Sequence, residues 1–150
     1  MTIYLGADHR GFMLKEQLKR ALKDEAYDVA DMGAPLLAPD DDYTDYVAAV
    51  AAKVSAAPDT SRGIVICGSG FGAEVVANKF DGVRAGLAML PDHAYQGRHD
   101  DDLNVLALAA DFIDEPTALR TVKVFLTTPF AKEERYARRI RKIGEIERDH

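Results

Sequence analysis

A chain of 150 residues, 47% of them hydrophobic, has room for one domain (1–150) with a core of ordinary size, and its 29% charged residues, 11 Gly and 6 Pro exclude disordered and collagen-like polymers. Nineteen basic against 25 acidic residues give a formal charge of -6, which repels phosphodiester backbones and anionic membranes, so neither nucleic acid nor a membrane is an expected partner. The single Cys67 cannot form an intrachain disulfide, Asp8 falls too early for a signal peptide, and no apolar run approaches the ~20 residues of a membrane span; a cytoplasmic chain is expected.

The first predicted strand, Ile3–Gly6, runs into Gly6-Ala7-Asp8-His9-Arg10-Gly11 and then a helix in which Leu14, Leu18 and Leu22 recur every four residues. Strand Tyr27–Asp31 follows, then the long acidic loop 33–42, which reads as a mobile rim. A second helix carries Tyr46, Val47, Val50, Ala51 and Val54, with Asp42 or Thr44 as its cap. The third strand, Gly63–Cys67, ends in Cys67-Gly68-Ser69-Gly70-Phe71-Gly72, and a third helix opens within Gly70–Ala73. Strand Val83–Ala88, a short helix after Pro91, strand Val105–Ala109 and a helix around Pro116–Leu126 come next. Beyond Pro129 a last helix runs from Ala131 to about Arg148, with Tyr136, Ile140 and Ile143 facing inward. Short apolar strands alternating with helices, joined by right-handed crossovers, predict a doubly wound α/β sandwich on a five-stranded parallel sheet. Its ligand crevice belongs at the carboxyl ends of the strands.

Two loops at that end carry unusual chemistry. In Cys67–Gly72, glycines alternating with Ser69 and Phe71 expose successive backbone N–H groups at a helix start, a cradle for an anion. The same residues fit G-x-G-x-x-A through Gly68, Gly70 and Ala73, but a dinucleotide fingerprint normally follows a first strand, and a tight turn alone also accounts for the glycines. Cys67 alone reads as a buried small hydrophobe; beside the N–H donors it becomes a candidate base or nucleophile. His9, His93, His99 and His150 are scattered and no second cysteine exists, so no metal is expected. Asp8-His9 is either a helix cap or part of the site, and Arg135 and Arg139, four apart, are either a phosphate clamp or a solvated helix face.

Taken together, Leu5-Gly6-Ala7-Asp8-His9-Arg10-Gly11-Phe12, Asp42-Tyr43, Cys67–Gly72 with Ala77-Asn78-Lys79, Gly82-Val83-Arg84-Ala85, Asn104-Val105 and Thr128-Pro129-Phe130 leading to Arg135–Arg139 resemble the ribose-5-phosphate isomerase type B and galactose-6-phosphate isomerase family along almost the whole chain. The resemblance implies a Rossmann-like three-layer sandwich with a C-terminal helix, catalysis without metal or other cofactor, and homodimers or homotetramers whose active site is shared between subunits. It implies an aldose–ketose isomerase of a small sugar phosphate, with Cys67 moving a proton between C1 and C2 through an enediolate. Ser69 and the N–H groups of Gly68, Gly70, Phe71 and Gly72 match the anion hole. His9, Arg135 and Arg139 match phosphate-binding residues, and Asp8 and Tyr43 line the sugar site. Some members use a glutamate directly after the last glycine; here that position is Ala73, with Glu74 one step on.

Three departures bear on activity. The family's Arg-x-His-Asn segment falls on Arg98-His99-Asp100-Asp101, so Asp100 replaces the ring-opening histidine and Asp101 its asparagine, while a further phosphate-binding arginine falls on Asp111. Each of the two unit charges so exchanged at Asp111 weighs on the order of 3 kcal/mol against a phosphate charge at about 5 Å. Ring opening then falls to His99 through a shifted loop, or to Asp100 if burial near other carboxylates raises its pKa. The alternatives are an isomerase of changed sugar specificity, including unphosphorylated sugars, and a non-catalytic or partner-dependent subunit.

Overall fold

The computed structural model describes residues 1–149; His150 lies outside the described residues. Five strands, β1 (Thr2–Ala7), β2 (Asp28–Asp31), β3 (Ser61–Cys67), β4 (Ala85–Leu87) and β5 (Val105–Ala109), form one parallel sheet in the order β2-β1-β3-β5-β4. The helices are α1 (Phe12–Asp24), α2 (Tyr43–Ala56), α3 (Phe71–Ala77), α4 (Pro91–Asp101), α5 (Glu115–Thr127) and α6 (Glu134–Asp149). The fold is the expected α/β, Rossmann-like sandwich with a C-terminal helix.

Strand side chains alternate between two cores, as a doubly covered sheet requires. Ile3, Leu5, Ile64, Ile66, Leu106 and Leu108 face α1, α4 and α5, where Leu14, Leu18 and Leu22 of α1 form the predicted stripe. Val65, Cys67, Val105 and Ala107 face the opposite way, onto Val47, Val50 and Val54 of α2 and Ala73 and Ala77 of α3. Full burial of each aliphatic side chain contributes about 1.5–3 kcal/mol. The alternation puts the Cys67 side chain on the α2/α3 face of the sheet.

Differences from the predicted elements have local causes. β3 starts two residues early because Ser61 and Arg62 pair with Thr2 and Ile3. β4 shrinks to three residues: the Arg84 and Ala85 N–H groups donate to the side chains of Asn104 (2.8 Å) and Asn78 (2.9 Å). The helix after Pro91 is not short but 11 residues long, ending where Asp102 turns left-handed (φ 48°). α6 begins at Glu134 rather than Ala131, because Lys132 is left-handed (φ 59°) and the Ala131 N–H donates to the His99 carbonyl. Within α6 Tyr136 is buried, whereas Ile143, expected to face inward, is 39% exposed. No helix of the described residues is long and apolar enough to cross a membrane.

Candidate functional site

The strand order reverses direction between β1 and β3, so the loops leaving their carboxyl ends diverge and leave a crevice. A cavity of about 550 Å³ occupies it. Asp8 and Arg10 enter from the loop after β1 and Tyr43 from the first turn of α2. Cys67, Gly68, Ser69 and Gly72 form the wall after β3, and Asp111 and Phe112 close it beyond β5.

Cys67 is 4% exposed, and its Sγ accepts a hydrogen bond from the Gly70 N–H at 3.2 Å. One donor of the cradle is therefore spent on the sulfur. Gly70 makes this contact from a left-handed conformation (φ 78°) that brings its Cα against β4 and β5; a Cβ there would lie 2.5 Å from Leu87 Cδ1. Gly72 lies directly under the Tyr43 ring, and Ser69 is exposed to the cavity. Gly70 and Phe71 contribute no surface to the cavity, and the Phe71 ring is 63% exposed. Glu74 is engaged elsewhere: its Oε1 accepts the Leu87 N–H at 3.3 Å.

The loop after β1 unites both readings of Asp8. Its Oδ1 accepts from the N–H groups of Arg10 (3.1 Å) and Gly11 (3.0 Å), fixing the turn into α1, while the side chain also faces the cavity. His9 sits beside the cavity lining rather than in it. Its ring Nδ1 and its backbone N–H meet Asp41 Oδ1 at 2.7 and 2.9 Å. The Asp41 hydrogen bond holds the imidazole pKa above its ordinary value. Burial pushes the Asp41 carboxyl up, but the two His9 bonds, the Tyr46 hydroxyl and the His9 charge together hold its pKa below the usual carboxylate value. The acidic rim loop is thus tied at both ends, since the buried Lys15 Nζ donates to the Ala34 carbonyl at 3.2 Å.

Arg10 and Asp41 were not singled out by sequence reasoning. Arg10 was legible as the one basic residue of its loop, whereas nothing in the run Asp40–Asp42 distinguishes its middle member. Arg10 Nη2 donates to Asp111 Oδ2 at 2.5 Å, so the aspartate expected to repel a phosphate is neutralised within the chain.

The remaining candidates gather elsewhere. His99, Asp100, Asp101, Arg135 and Arg139 are absent from the cavity around Cys67. His99 Nδ1 meets Asp100 Oδ1 at 2.6 Å, stacks on Tyr95 at 5.1 Å and meets Tyr136 edge-on at 6.0 Å. Arg135 and Arg139 lie over the Tyr136 ring at 4.4 and 5.8 Å, and Arg135 Nη2 donates to the Tyr136 hydroxyl. The raised Asp100 pKa needed for an acid role is not found: the His99 hydrogen bond holds this carboxyl below its ordinary value. Asp101 borders a different depression, between β4 and α6, with Arg84 and Ile143. Among the described residues no cluster of three or more His, Cys, Asp or Glu side chains is arranged to hold a metal ion.

The family model for ribose/galactose isomerases matches residues 3–143. Ribose-5-phosphate isomerase B of Mycolicibacterium paratuberculosis is 38% identical over 150 residues, covering 100% of this chain and 94% of the relative. Among solved structures, ribose-5-phosphate isomerase B of Mycoplasma genitalium with bound ribulose-5-phosphate superposes with a TM-score of 0.96 at 36% identity, covering 99% of this chain and 97% of that one. The Clostridium thermocellum ribose-5-phosphate isomerase B gives 0.94 at 38%, with 99% of each chain covered. A match of this extent in both sequence and backbone, around a crevice walled by the same cysteine-glycine loop that carried the resemblance, assigns the chain to the ribose/galactose isomerase family.

Proposed function

We propose that the chain is an aldose–ketose isomerase of a small sugar phosphate, ribose 5-phosphate being the first candidate, with Cys67 as the base. The observation that carries this reading is the Cys67 sulfur, held by the Gly70 N–H, at the wall of a cavity that Asp8, Arg10, Ser69 and Asp111 also line, in a chain of this family. In the open-chain aldose the sulfur takes the C2 proton, and the electron pair left behind forms the C1–C2 double bond as the carbonyl oxygen at C1 becomes the enediolate oxygen. Return of the proton to C1, with transfer of the C2 hydroxyl proton to O1, completes the ketose. C2 is oxidised and C1 reduced, so the reaction balances without an external redox partner. Ser69 and the N–H groups of the loop stabilise the enediolate oxygen, while Asp8 and Tyr43 position the sugar. The engagement of Glu74 with β4 favours Cys67 over a carboxylate in the base role.

The active unit is an assembly of at least two copies acting in the cytoplasm, in which His99, Arg135 and Arg139 of one copy complete the cavity of another. Two features support this. Those side chains are absent from the cavity of their own chain, and apolar groups stay uncovered beside both halves: Phe71 and Phe112 near the cavity, Ile143 and Ile146 on α6. His9 with its raised pKa and the two arginines form the phosphate site, and His99, aligned by Asp100, opens the sugar ring.

The test is NMR detection of solvent deuterium entering C2 of ribose 5-phosphate or C1 of ribulose 5-phosphate, with wild type beside Cys67→Ala. Loss of a general base lowers the rate by about 10²–10⁴-fold, and this fall is the expected result. Full exchange in the variant removes Cys67 from the mechanism.

A further inference from the structure

We propose that Arg10 is a substrate-binding residue of this site, aimed by Asp111 across the cysteine-glycine loop at the anionic part of the substrate. The inference rests on the isomerase reading and adds to it a cation supplied by the chain that also carries Cys67. Among the described residues that wall the cavity, Arg10 is the one basic side chain, set against the carboxylates of Asp8 and Asp111. Left alone, the two carboxylates on this wall repel an anionic sugar or a developing enediolate. Arg10 offsets one of them from the chain that also carries Cys67.

Geometry decides where its charge goes. A Cβ built on Gly68 would lie 2.6 Å from Arg10 Nε and 2.7 Å from Asp111 Oδ2, so the ion pair lies against the backbone next to Cys67, and a side chain at this position would displace it. Among the described residues Asp111 is the one hydrogen-bond partner of the guanidinium, through Nη2 alone. A guanidinium carries five N–H donors in a rigid fork, so donors remain for a ligand. The Arg10 side chain is 56% exposed and Asp111 35%, which is unlike an ion pair sealed into a core. An exposed pair of this kind contributes little to stability, so its place on the cavity wall is better explained by ligand binding than by folding.

The experiment compares wild type, Arg10→Gln, Arg10→Lys and Asp111→Asn. Steady-state isomerisation of ribose 5-phosphate is measured on each, together with calorimetric titration of ribose 5-phosphate into Cys67→Ala with and without Arg10→Gln. The expected result is a KM raised about ten-fold or more by Arg10→Gln, as loss of a charge-assisted hydrogen bond implies, with kcat changed far less and partial recovery in Arg10→Lys. Asp111→Asn is expected to change KM by different factors in wild type, where it releases the Arg10 guanidinium, and in Arg10→Gln, where it only removes an unpaired carboxylate from the wall. An active wild type whose KM stays within about two-fold in Arg10→Gln, whether or not Tm falls, overturns the inference and leaves the isomerase reading standing. A wild type without turnover whose binding in the titration still weakens on Arg10→Gln overturns the isomerase reading and keeps the inference. Neither turnover nor binding overturns both.

Discussion

At the scale of single residues the site is governed by which polar group holds which. His9 is bonded twice to one oxygen of Asp41, and its pKa lies above the ordinary 6.5. The imidazolium–Asp41 pairing is therefore fully stabilising below about pH 6.5 and fades as pH rises through the higher folded-state value. We expect ¹H–¹⁵N NMR titration to give a His9 pKa above 6.5, lowered by Asp41→Asn, and substrate affinity in that variant to decline at lower pH than in wild type. A His9 value unchanged by Asp41→Asn removes this coupling. Gly70 offers a test of a different kind. Gly70→Ala costs about 1–2 kcal/mol for the left-handed backbone alone, and the contact with Leu87 adds to it, so a lower Tm and loss of the N–H bond to Cys67 are expected together. Legibility at this scale was uneven. Cys67 and its glycines stood out because glycine that dense at a strand-to-helix turn marks a backbone held close to a neighbouring group or a ligand. The Arg10–Asp111 pair did not, because it joins residues 101 positions apart that only the parallel sheet brings together.

At the scale of elements, short apolar runs placed the five strands and leucines every four residues the buried face of α1; burial on both faces makes such runs plain in β1, β3 and β5, whereas β2 is exposed or half-buried along its length. The same patterns misjudged β4, whose ladder is cut short by side-chain amides, and α6, whose apolar spacing points to the chain's own core. Tyr136 is buried against α4, but Ile143 and Ile146 remain 39% and 60% exposed. A stripe of that kind has the spacing of a packed helix without its partner. Ile143→Lys with Ile146→Lys is accordingly expected to shift the protein toward monomer in sedimentation velocity while leaving the far-ultraviolet circular dichroism unchanged. An unaltered sedimentation coefficient would locate the contact elsewhere. Several motif residues also turned out to build elements. Asn78 grips both backbone groups of Ala85, and Asn104 joins the Arg84 N–H to the Gly82 carbonyl. Arg98, the arginine of the Arg-x-His-Asn segment, is buried against the Leu103 carbonyl and Asp102.

At the scale of the whole molecule the candidate residues form two groups, one around Cys67 and one around His99 and Tyr136. If two copies complete one another, Cys67→Ala and Arg135→Ala injure opposite halves of a site. Each inactive alone, the two variants co-refolded in equal amounts should regain about a quarter of wild-type activity, because half of the random dimers are mixed and each of these has one intact site of two. No recovery on mixing would mean that each chain works with its own residues. The side chains that α3 sends to β4 have an effect reaching past catalysis. β4 is the outer strand of the sheet, and Asn78 and Glu74 occupy the N–H groups of Ala85 and Leu87 on a three-residue segment. A border hydrogen-bonded in this way by its own chain leaves a stranger's strand little to pair with, so the sheet is protected on this side against growing into an aggregate.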